Sequence, residues 1–319
     1  MRRRTFLELS SAGLGLNLKS LAQAPMPMVT LGKSGLRVSK FCLGGYHMAV
    51  EGEETALKVI HRALDLGVNF FDSAWLYHKG QSDEIYGKAF TPAARKNVIL
   101  MSKAERRSFD GAMSQLEDTL RRMRTDYLDL WQCHQVSEMS EVDEILGPKG
   151  ALEAFVKAKQ QGKVRHIGFT GHRDPAVLQR LLEAFDGWET VQHPVNLIDP
   201  HYLSFIEGVL PKAGRKGLGR IAMKSNAMGS IGRNNVAPIA DCLRFTLSQP
   251  IDVLVSGVQN VAQLEQNVGI VKTFKPMSQA EITSLLERTR KGQYGSKIER
   301  YKRPPSGAAR KPHQDGEPA

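Results

Sequence analysis

Eight short apolar runs alternate with eight amphipathic stretches of helical length, and this alternation limits the chain more than any other feature. The runs are Val38–Gly45, Val68–Ser73, Asn97–Lys103, Tyr127–His134, Val164–Thr170, Thr190–Pro194, Arg220–Lys224 and Asp252–Gly257. Helical stretches follow near residues 54–66, 82–90, 109–124, 150–161, 175–185, 202–216, 236–248 and 261–273. Met113, Leu116, Leu120 and Met123 recur at three- and four-residue steps and give one apolar face. Asp174-Pro175 sets an N-cap and a first-turn proline before Val177, Leu178, Leu181, Leu182 and Phe185. Strand and helix in strict alternation imply parallel strands joined by crossovers. Eight such units predict a closed α/β architecture, a single-domain (β/α)8 TIM barrel. A doubly wound open sheet is the alternative, but "CLGGYHMAVEGEE" lacks its G-x-G-x-x-G turn.

The chain has 319 residues, 41% apolar and 24% charged, enough for one such barrel with a sizeable core. Its net charge of +11 is concentrated in part at the ends. No basic stripe is interleaved with aromatics, so no nucleic-acid partner is expected. The cysteines Cys42, Cys133 and Cys242 form no C-x-x-C pair and read as buried free thiols. Residues 1–24 have the parts of an export signal: Arg3-Arg4-Thr5-Phe6-Leu7 resembles the twin-arginine pattern, and Ala22-Gln23-Ala24 is a small-residue site. Pro25 just after it disfavours cleavage. The signal predicts engagement of the export machinery and a periplasmic or other extracytoplasmic location; without it the protein is cytoplasmic. Residues 25–293 are assigned to the barrel. The Pro-, Gly- and charge-rich stretch 294–319 has no apolar period and is expected to be disordered.

In such a barrel, chemistry sits at the C-terminal ends of the strands. Strand two ends in Asp72, and its loop carries Tyr77; strand three ends in Lys103, strand four in His134. Each residue alone has an ordinary structural explanation. Together they place an acid, a phenol, an amine and an imidazole at adjacent strand ends, and buried charges are costly unless paired. Asp72 is expected to hold Lys103 charged, and Lys103 to lower the pKa of Tyr77 so that the phenol serves as a general acid. His134 then orients a carbonyl oxygen.

These residues bring a resemblance. "GVNFFDSAWLY", "MSKAE" and "RTDYLDLWQCH" resemble the Asp-and-Tyr, lysine and histidine segments of the aldo-keto reductases, and the likeness runs from "VTLGKSGLRVSKFCLGG" to "GVQNVAQLEQNVGIV". It implies Asp72, Tyr77, Lys103 and His134 as the catalytic set of an NAD(P)H-dependent carbonyl reductase, with a small carbonyl or alcohol substrate. It also implies a dinucleotide lying across the strand ends. Gly44 and Gly45 close the first strand, and Gln192 matches the family's strand-six glutamine. Thr170 and Gly171 in "IGFTGH" stand where the family has Ser and Asn, with His172 next. Met223 stands in an aromatic position, followed by Lys224. In "SGVQNVAQLEQN", Gly257, Gln263 and Asn267 agree with the adenosine-holding stretch, whereas Gln259 replaces a basic residue and Gln266 a glutamate. NADP(H) is favoured and NAD(H) is possible. The loop "QVSEMSEVDEILGPKG" after strand four is long enough to cover the site. A catalytically weak cofactor-binding or sensing module is the alternative. A metal-dependent hydrolase is disfavoured because the chain has no H-x-H or H-E-x-x-H pair.

Overall fold

The computed structural model describes residues 24–290 and 295–303. Eight parallel strands close into a barrel: β3 (Phe41–Gly44), β4 (Phe70–Asp72), β5 (Ile99–Ala104), β6 (Leu128–Cys133), β7 (Val164–Thr170), β8 (Thr190–Pro194), β9 (Gly219–Met223) and β10 (Val253–Gly257). β10 pairs β3 and completes the ring. The principal helices are α1 (Glu53–Asp65), α2 (Gln81–Ala89), α3 (Phe109–Met123), α4 (Met139–Leu146), α5 (Ala151–Gln160), α6 (Pro175–Ala184), α7 (Leu210–Arg215), α8 (Ile239–Leu247), α9 (Val261–Lys272) and α10 (Gln279–Thr289). The chain is a single-domain (β/α)8 TIM barrel, as the alternation predicts.

The period-two pleat sorts the strand residues. Leu43, Phe71, Leu100, Trp131 and Phe169 pack outward with the helices, and Trp131 stacks on Phe155 of α5 at 3.9 Å. Cys42, Phe70, Met101, Leu130, Ile221 and Val253 form a separate buried cluster inside the ring. That cluster is closed from below by a hairpin of β1 (Met28–Thr30) and β2 (Arg37–Ser39), which adds Leu31 and Val38. Gly32 in its turn has φ +48°, and a Cβ there would lie 2.1 Å from the backbone nitrogen of Gly219. The first apolar run therefore splits: Arg37–Ser39 belongs to the plug, and only Phe41–Gly44 belongs to the barrel.

Three further expectations change. The helix near 202–216 is broken into Phe205–Gly208 and α7, with Pro211 in the first turn of α7. The loop after β6 contains α4, started by a capping box between Glu138 and Glu141. Residues 295–303, assigned to the disordered tail, form a short helix (Gly295–Ile298) and a 3-10 turn (Arg300–Lys302), with Glu299 and Lys302 buried. The physical reason is tertiary. The Lys302 ammonium donates to Asp199 Oδ1 (2.7 Å) and the Tyr202 carbonyl (2.7 Å) and pairs with Glu299 (2.6 Å). Asn196 donates to Glu299 (2.8 Å) and to the Tyr301 hydroxyl (3.1 Å). Residues 304–319 and the expected export signal, apart from Ala24, lie outside the described residues. All three cysteines are free and buried. Among the described residues no helix is long and apolar enough to cross a membrane.

Candidate active site

The pleat that points Phe70, Met101 and Leu130 into the ring also points inward the residues two positions further along. On β4 and β5 these are Asp72 and Lys103; on β6 it is Gln132, with His134 just beyond the strand. The register sets Asp72 beside Met101 and Lys103 beside Gln132, so the lysine reaches back over one strand. Its ammonium forms a fully buried ion pair with Asp72 and donates to the Ser73 carbonyl (2.6 Å). The ammonium also stands 5.0 Å from the ring centre of Tyr77. Tyr77 meets His134 edge-to-face at 5.7 Å and Tyr46 at 5.4 Å. The structure thus brings all four predicted residues to one end of the barrel.

Their electrostatics depart from expectation in one respect. The Tyr77 phenol is not acidified: burial pushes it well above its ordinary value, and the Asp72 and Glu105 carboxylates push the same way. Burial is the larger cause, and the ion pair adds to it. Asp72 neutralises Lys103 at short range, so the phenol feels desolvation more than a cation. Burial likewise pushes Asp72 upward against the pull of Lys103. His134 is lowered to about 4, chiefly by burial, so it is neutral at physiological pH. Its Nδ1 lies 3.3 Å from Glu105 Oε1, out of line for a hydrogen bond. Arg107 donates to the His134 carbonyl (2.8 Å) and pairs with Glu141 of α4, tying the loop after β6 to the histidine.

The positions expected to meet the dinucleotide divide into open and spent groups. Gln192 is buried, and its Oε1 has no partner among the described residues. That is an acceptor suited to a carboxamide N–H. Asn267 donates to Ser256 Oγ (3.1 Å). Gln263 caps inward instead: its side chain accepts from the Gln259 amide (2.9 Å), and its own amide donates to the N-cap Asn260 (2.9 Å). Gln266 is exposed. The Thr170 hydroxyl accepts from the Gln135 amide (2.8 Å). Three glycines are needed for close packing. A Cβ at Gly45 would sit 2.1 Å from the Asp72 carbonyl, one at Gly171 would sit 2.6 Å from the Val136 carbonyl, and one at Gly257 would enter the His47 ring. Gly44 opposes Gly257 across the β3–β10 pair. Met223 Sδ accepts from Gln192 Nε2 at 3.8 Å.

The sequence reading missed Tyr46, Glu105 and Tyr301. Tyr301 meets His172 edge-to-face at 5.8 Å and lies 5.2 Å from the Lys224 ammonium. Its only signal in the sequence is an aromatic ring in an otherwise polar tail.

A closed parallel barrel with an acid–amine pair, a phenol and a neutral imidazole at its strand tips is an arrangement that fits one class, the barrel oxidoreductases. Comparison with known proteins agrees. The Aldo/keto reductase family profile matches residues 40–239. The chain is 33% identical over 232 residues to the uncharacterized oxidoreductase YrpG of Bacillus subtilis, covering 65% of this chain and 68% of that protein. It is 26% identical over 304 residues to L-galactose dehydrogenase of Arabidopsis thaliana, covering 81% and 93%. The fold is shared with an aldo-keto reductase from Klebsiella pneumoniae solved in complex with NADPH, at TM-score 0.68 and 21% identity, over 84% of this chain and 96% of that one. The chain belongs to the aldo/keto reductase family and is an NAD(P)-dependent oxidoreductase.

Proposed function

We propose that the protein is an NADPH-dependent reductase of small carbonyl compounds, with Tyr77 as general acid. The observation that carries this reading is the buried Asp72–Lys103 pair beneath Tyr77 and His134 at adjacent strand tips. The open Gln192 acceptor and the inward face of Met223 fit a nicotinamide, and the NADPH held by the Klebsiella relative favours the phosphorylated cofactor. Bound there, the nicotinamide supplies the hydride. A neutral His134 offers one N–H to the carbonyl oxygen. The raised pKa of Tyr77 keeps its proton in place until charge builds on that oxygen. An alkoxide is a stronger base than a phenolate, so the transfer then runs downhill. Lys103, 5.0 Å from the ring centre, stabilises the phenolate left behind.

The test is NADPH oxidation with a panel of aldehydes and ketones. Tyr77→Phe lowers kcat by roughly 10²–10⁴-fold while NADPH still binds. A variant with unimpaired turnover removes Tyr77 from the acid role. An enzyme that binds NADPH yet reduces no carbonyl compound refutes the proposal.

A further inference from the structure

Lys224 follows β9 in a left-handed conformation (φ +56°), at the end of the barrel that carries the candidate site. Among the described residues no carboxylate and no hydrogen-bond acceptor pairs with its ammonium; its one contact is the Tyr301 ring at 5.2 Å. Its side chain is half-buried, and a cation partly withdrawn from water without a partner is costly. Nearby cations are answered differently: Lys103 has Asp72, and Lys302 has Asp199 and Glu299. The groups whose charges act with Lys224 are Lys103 and Asp72 from the strand tips and the imidazoles of His172 and His47. His172 makes no hydrogen bond among the described residues and shares the Tyr301 ring with Lys224. The Tyr301 hydroxyl is held by Glu299 and Asn196.

From this arrangement we infer that Lys224, flanked by His172 and walled by Tyr301, is a subsite for an oxyanion on the substrate itself, a carboxylate or phosphate on the carbonyl compound being reduced. The inference rests on the reductase reading and narrows its substrate class. An oxyanion there gains the partner the ammonium lacks, at the end of the barrel that carries Tyr77 and His134. Enclosure, with Lys103 nearby, brings Lys224 down to about 8, so its charge is still present at neutral pH and is lost above that value.

The experiment compares two aldehydes of similar shape, 4-carboxybenzaldehyde and 4-methylbenzaldehyde, with NADPH. The native enzyme prefers the carboxylate. Lys224→Met lowers kcat/KM for the carboxylate by about thirtyfold more than for the methyl compound, the size expected of a charge-assisted hydrogen bond. Lys224→Arg restores part of the preference. Without any variant, the preference decays as the pH rises through about 8. Three outcomes overturn the inference: no preference in the native enzyme, a preference unmoved by Lys224→Met, or equal losses on both aldehydes with weaker NADPH binding. The last assigns Lys224 to a cofactor phosphate. Aldehydes reduced without regard to charge sink this inference alone; no reduction of either sinks the reductase reading as well.

Discussion

At the scale of single residues, a carboxylate behind the site matters as much as those within it. Asp83 of α2 is fully buried and accepts from Ser73 Oγ (2.5 Å) and Thr119 Oγ1 (3.0 Å). The Ser73 carbonyl in turn takes the Lys103 ammonium, so Asp83 fixes a residue that holds the buried Asp72–Lys103 pair. Burial raises Asp83 to about 6. In the unfolded chain an aspartate titrates near ~4, so between those values the native state binds the extra proton. Asp83 therefore costs stability as the pH climbs through that window, and the cost is complete above it. His134 works in the opposite direction: lowered to about 4, it makes the fold gain stability as the pH rises towards the ordinary histidine value. Asp83→Asn isolates the first effect. The difference in Tm between variant and native protein moves in the variant's favour from pH 4 to pH 7; a flat difference shows that Asp83 does not titrate there. Asp72, Lys103 and His134 were legible because each stands at or just past the end of an apolar run, and Tyr77 because it lies in the short loop after Asp72. The pKa shifts of Asp72, Tyr77 and His134 were not, because they depend chiefly on how deeply the fold buries each group. Asp83 was invisible for a related reason: its partners come from the residue after β4, from β5 and from α3.

At the scale of elements, hydropathy read the regular units well and the polar ones poorly. Strands and helices with strong periods fell where expected. The 295–303 segment did not, because polar composition predicts exposure only when no partner waits in the fold. Here Asp199, in the loop after β8, waits 103 residues away from Lys302. Asp199 also accepts the amides of Phe205 and Ile206, so it belongs to two elements at once. Lys302→Ala would leave Asp199 and Glu299 buried without a cation. Removing one partner from a buried pair costs about 3–5 kcal/mol. The variant is expected to lose amide-exchange protection across residues 295–303 and to melt lower. Unchanged exchange there would mean that the helix Gly295–Ile298 holds itself by Ile298, which packs with Leu197, Phe245 and Leu285, rather than by charge.

At the scale of the molecule, the two ends of the barrel carry different burdens. The lower end is closed by the β1–β2 hairpin, whose Leu31 is wholly buried against the ring's interior. The close approach of Leu31 to Gly219, where a Cβ would lie 2.6 Å from the leucine side chain, leaves no slack for repacking. The upper end holds the titratable groups, and the apolar layer of Phe70, Met101 and Leu130 separates the two. A defect below should thus be felt as lost stability, and a defect above as lost chemistry. Leu31→Ala is expected to cost about 2–5 kcal/mol in urea unfolding, the range for a cavity that cannot collapse. Its kcat/KM per folded molecule should fall by no more than about threefold, since the inner apolar layer separates the strand tips from the plug. Tyr77→Phe should show the reverse, with a large loss of kcat and a midpoint close to native. If Leu31→Ala also lost most of its turnover while still folded, the layer between the two ends would be transmitting strain. The strand tips would then owe their geometry to the hairpin as well as to the ring.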